Sequence, residues 1–128
     1  MPFESLQAAL DEGKVPVDLI PTWIPDGFKL SAIEVEHSPL QIKYTARYEN
    51  GEGSLVITVR DHLDGIPTYV EQRDGLIEEY KVAGITYYLF SDVSQMKAKW
   101  VRGSYECDIY GSVTIEELKI MIDSIEKG

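Results

Sequence analysis

The chain has 128 residues, 44% of them hydrophobic and 27% charged, an ordinary globular composition that supports one core without disulfides or metal. Twelve Lys and Arg against 22 Asp and Glu leave a net charge of −10, which excludes binding driven by counterion release from nucleic acid or by attraction to an anionic membrane surface. No apolar run approaches the roughly 20 residues that cross a bilayer, and residues 1 to 10 lack the basic start and continuous apolar stretch of a secretory signal, so the chain as it stands is expected to be soluble.

Residues 3 to 12 carry Phe3, Leu6 and Leu10 at helical spacing, with Gly13 as a stop, and predict a short helix. Val15 to Phe28 contains Pro16, Pro21 and Pro25, each without a donor for a backbone ladder, and reads as an extended connector anchored by Trp23, Ile24 and Phe28. From Lys29 the period becomes two. Ile33 and Val35 alternate with Glu34 and Glu36 up to a turn at Ser38-Pro39. Leu40, Ile42, Tyr44, Ala46 and Tyr48 then alternate with Gln41, Lys43, Thr45, Arg47 and Glu49. Such alternation belongs to an antiparallel strand with one buried and one wet face. Asn50-Gly51-Glu52-Gly53 joins it as a hairpin to Ser54–Arg60, where Leu55, Ile57 and Val59 continue the pattern.

Residues 61 to 76 hold Gly65, Pro67, Gly75 and several acids and read as a loop. Glu79 to Phe90 gives two strands hinged at Gly84, and Met96, Ala98 and Trp100 face Tyr105, Cys107 and Ile109 across an Arg102-Gly103 hairpin. Thr114-Ile115-Glu116-Glu117 is a capping box, and Ile115, Leu118, Met121, Ile122 and Ile125 follow as an apolar stripe at helical spacing. The fold class is therefore α+β: a mainly antiparallel, twisted sheet of about six or seven strands, a C-terminal helix packed on one face, and a short N-terminal helix. Residues 1 to 20 are expected to form the short helix and connector, and residues 21 to 128 a single α+β domain.

The chemistry-bearing residues are few. His37 and His62 sit at strand ends and read as solvated turn histidines. Zinc needs about four converging His or Cys ligands. Asp61-His62-Leu63-Asp64-Gly65 lacks the alternating acids and closing glutamate of a calcium loop. Cys107, the single cysteine, shares a face with Tyr105 and Ile109 and reads as an inert core thiol. There is no Gly-x-Ser-x-Gly elbow, and Gly51-Glu52-Gly53 lacks the lysine of a phosphate cradle. No catalytic, cofactor or metal residue is assigned. Of the eight tyrosines, Tyr44, Tyr48, Tyr87 and Tyr105 fall on apolar strand faces, whereas Tyr88 and Tyr110 fall opposite and are the candidate partner-binding residues.

The order of Ile24-Pro25-Asp26-Gly27-Phe28-Lys29-Leu30, Val82-Ala83-Gly84-Ile85, Lys99-Trp100 before the Gly103 hairpin, and Ile109-Tyr110-Gly111 running into Thr114-Ile115-Glu116-Glu117-Leu118 resembles the domain of unknown function 4367, over residues 20 to 126. That family is typically found at the C-terminal, extracytoplasmic end of membrane-tethered anti-sigma factors and sporulation-linked lipoproteins of Gram-positive bacteria. The resemblance implies an extracytoplasmic, non-enzymatic sensory or protein-interaction domain, on the cell-envelope side of a membrane-tethered parent chain. It carries over no catalytic residue. The partner, a protein or a small ligand, is left open. Two alternatives stand beside it: a small hydrolase using His62 and the acidic loop 61 to 76, and a soluble, acidic cytoplasmic interaction protein.

Overall fold

The computed structural model describes residues 5–16, 18–63, 75–92 and 95–125. Period-two stretches become strands wherever an apolar face can be buried, and among the described residues seven do so: β1 (Lys29–His37), β2 (Gln41–Glu49), β3 (Ser54–His62), β4 (Leu76–Val82), β5 (Ile85–Asp92), β6 (Gln95–Arg102) and β7 (Tyr105–Gly111). They form one antiparallel sheet in the order β1-β2-β3-β7-β6-β5-β4. Two meanders are thus joined where β3 pairs with β7, leaving β1 and β4 as edges. The α+β class, the antiparallel sheet and both helices agree with the reading of the sequence.

Turn chemistry fixes the register. Asn50 accepts from the backbone N–H of Glu52 and Gly53 at 3.0 and 2.7 Å, closing the β2–β3 hairpin with its side chain. The β4–β5 connection is the two-residue pair Ala83 and Gly84, at φ of 53° and 82°, the paired positive values of a turn whose twist matches its strands. Gly111 closes the sheet at β3, where an added Cβ would lie 2.6 Å from the Ser54 carbonyl oxygen.

One sheet face is roofed by α2 (Ile115–Ser124) and α1 (Leu6–Glu12). Thr114 accepts from the Glu117 N–H while the Glu117 carboxylate accepts from the Thr114 N–H, so the capping box forms as expected. Leu118, Met121 and Ile122 of α2, Leu6, Ala9 and Leu10 of α1, and Leu19 and Ile20 of the connector share one buried cluster with Ile57, Val59, Leu89, Trp100 and Ile109 of the sheet. Trp100 packs against Tyr87 with ring centroids 5.0 Å apart and planes tilted by 51°. Ser124 ties the connector to α2: its hydroxyl accepts from the N–H of Thr22 at 2.9 Å and of Trp23 at 3.2 Å, and the Thr22 hydroxyl donates to the Ser124 carbonyl.

Three expectations need correction. Leu40 is no strand residue; it sits in the β1–β2 turn, 70% exposed, because Ser38 already accepts from the Gln41 N–H and closes the turn there. Asp61 and His62 belong to β3 and Leu76 to β4, since pairing with β2 and β7 extends β3 beyond its apolar alternation; residues 64–74 of the expected loop lie outside the described residues. The sheet face away from the helices is also not uniformly wet. Thr45, Thr58 and Phe90 are buried on it. The short threonines lie on interior strands between longer neighbours, Lys43 and Arg47 in one case and Val56 and Arg60 in the other. No helix among the described residues is long and apolar enough to cross a membrane.

Candidate functional site

The face of the sheet turned from the helices, the outer face, holds the polar chemistry, because strand alternation sends every second residue there. Val59, Cys107 and Trp100 lie in register on the core side. One step along, Arg60, Glu106 and Val101 lie in register on the outer side, and one step the other way Thr58, Asp108 and Lys99 do the same. Three adjacent strands thereby place two cations beside two carboxylates.

Glu106 is the hub. It is 9% exposed, with Oε1 at 3.2 Å from His62 Nε2 and Oε2 at 3.9 Å from both Arg60 Nη1 and Lys99 Nζ. Arg60 also donates to Asp108 at 3.3 Å. Asp108 is held above the ordinary carboxylate value, because burial disfavours its charge; Arg60, Lys97 and Lys99 oppose that rise without cancelling it. Such a network is costly to bury and is retained only when its members satisfy one another.

His62 is therefore not the solvated turn histidine expected. It is 8% exposed, its backbone N–H donates to the Ser104 carbonyl at 3.0 Å, and its ring meets Glu106. The partner lies 44 residues away, so no local pattern could have revealed it. His37 is exposed at the end of β1 as expected. Arg60, Glu106 and Asp108 were not singled out from the sequence; the one signal available was charge at alternate positions of strands that turn out to be central.

Tyr88 and Tyr110 do lie on the outer face. Tyr110 is 36% exposed and stands opposite Lys97; Tyr88 is half-buried and stands opposite Lys99. The two tyrosines thus flank β6 diagonally from β5 and β7, two strand spacings and two residues apart, or roughly 12 Å between backbones, with two lysines between them. Aromatic rings beside ammonium groups can hold an extended chain by ring contact and charge together.

Cys107 is fully buried on the core side, and burial pushes its thiol far above its ordinary value, opposite to what a nucleophile requires. Among the described residues, no three His, Cys, Asp or Glu side chains are placed to hold a metal ion.

No curated protein matches the sequence. A family model described as Domain of unknown function (DUF4367) matches residues 18–125, from the connector through both meanders to the end of α2. The chain belongs to that family.

Proposed function

We propose that this domain is a non-enzymatic sensory or protein-interaction module of an anti-sigma-factor-like regulator, exposed on the extracytoplasmic side of the membrane and meeting its partner on the outer sheet face. The observation that carries the reading is the arrangement of Tyr88, Lys97, Lys99 and Tyr110 around a set of charges that satisfy one another. A patch of that kind offers contacts and supplies no activated group. Membership of the family supports the regulatory setting, which the resemblance implies.

A second reading, a small hydrolase working through His62, draws support from the His62–Glu106 contact at 3.2 Å, since a carboxylate can orient an imidazole as a general base. The two are separated by one experiment. The full-length gene product is expressed in its own cells and its partners are captured by cross-linking, for the native sequence and for Tyr88→Ala/Tyr110→Ala. Loss of the partner with an unchanged circular dichroism spectrum supports the interaction reading. Undiminished capture removes the tyrosine face, and turnover of an ester or glycoside abolished by His62→Gln establishes the hydrolase.

A further inference from the structure

We propose that β4 is a self-pairing edge, through which two copies of the chain join their sheets antiparallel about a two-fold axis at Tyr80. This goes beyond the partner-binding face and does not depend on it. Among the described residues no strand pairs with the outer side of β4, and an unpaired strand edge is a template for another strand.

Sequence around Tyr80 sets the register. The ladder between β4 and β5 is irregular between Leu76 and Glu78 and regular from Glu78 to Val82, so the straight part of the edge is centred on Tyr80. A two-fold axis normal to the sheet keeps both helix layers on one side and opposes residues that share a face. Centred on Tyr80, it sets Glu79 opposite Lys81 of the other copy, twice. Centred one residue earlier it opposes Glu79 to itself, and one residue later Lys81 to itself, and like charges directly opposite are destabilising. Glu79 and Lys81 are exposed, and the residues across from them on β5, Tyr88 and Thr86, carry no charge. On the other face Glu78 is already neutralised by Lys119 at 2.8 Å. Tyr80, its hydroxyl donating to Asp123 at 2.8 Å, meets its symmetry mate there.

The opposite edge does not share this property. In β1, Glu34 and Glu36 both stand exposed on one face, Glu34 already paired with Arg47 at 3.0 Å, and the strand is interrupted between Leu30 and Ala32. Leu30 to Glu36 holds no Lys or Arg to oppose these acids, and a two-fold axis at Val35 would set Glu34 against Glu36 twice.

The test is sedimentation equilibrium over a concentration series at about 0.15 M salt, where long-range repulsion between two acidic copies is screened beyond roughly 8 Å and contacting pairs persist. The native chain is expected to show a monomer–dimer equilibrium. Lys81→Glu and Glu79→Lys should each weaken it about tenfold, since each turns two attractive pairs repulsive. Glu79→Lys/Lys81→Glu, which keeps the net charge, should restore it. The Glu79→Lys variant matters most, because it lowers the overall negative charge and must still weaken association. A native chain that stays monomeric throughout, single variants that associate as tightly as the native chain, or a double variant that fails to recover would each overturn the proposal.

Discussion

Replacing Glu106 by Gln keeps the shape of the hub and removes its charge, leaving Arg60, Lys99 and His62 around a neutral amide. Removing one partner of a fully buried ion pair costs about 3–5 kcal/mol. Here the cost is smaller, because the Arg60 and Lys99 side chains keep 29% and 26% of their surface in water, because both stand 3.9 Å from the carboxylate, and because Arg60 retains Asp108 at 3.3 Å. A loss of about 1–2 kcal/mol is expected, or a fall in Tm of roughly 4–7 °C for a domain of this size. Urea unfolding of the native chain, Glu106→Gln, Arg60→Met and the double variant measures both the loss and the coupling, which should be about 1 kcal/mol. The sign decides between readings. A carboxylate kept for structure destabilises when it is neutralised, whereas one held at a cost for catalysis stabilises. An increase in stability would refute the structural role of the network and favour the hydrolase.

Asp108→Asn tests burial of the neighbouring charge. The folded state holds the Asp108 carboxyl above its ordinary 3.8, so its contribution to stability is fully present below that value and is lost as pH rises through the raised one. The native chain should lose ground to Asp108→Asn between pH 3.5 and 7, measured as the difference between their urea midpoints; a difference that moves the other way contradicts the assignment. Ala83→Asn should stabilise by about 0.5–1 kcal/mol, since Ala83 sits at φ 53° in a region asparagine tolerates better than alanine; thermal melts check it. Thr114→Ala removes half of the capping box and should cost about 1 kcal/mol, with loss of helix signal beginning at α2.

Much of this fold is legible in the sequence because the information is local. The capping box needs four consecutive residues, and the Asn50 and Gly84 turns need the chemistry of two or three. Strand order is not local. Nothing in Ser54–His62 or Tyr105–Gly111 says that β3 pairs with β7, and that pairing brings Arg60 to Asp108 and His62 to Glu106, completing a hub to which the β6–β7 hairpin adds only Lys99. For the same reason alternation could assign Tyr88, Tyr110, Lys97 and Lys99 each to the outer face, but not the pairing of β5 and β7 on either side of β6 that sets the tyrosines around the lysines. The burial of Thr45 and Thr58 follows from their place on interior strands, which the alternating pattern does not encode.

The claim that the outer face is the contact surface is tested most directly by placing a photo-cross-linking amino acid at Tyr110, exposed on that face, and in a parallel experiment at Ile120, exposed on α2. Irradiation of cells expressing the full-length gene product should trap one discrete protein from position 110 and none from position 120. A discrete adduct from position 120 with none from position 110 would place the partner on the helix layer and contradict the account.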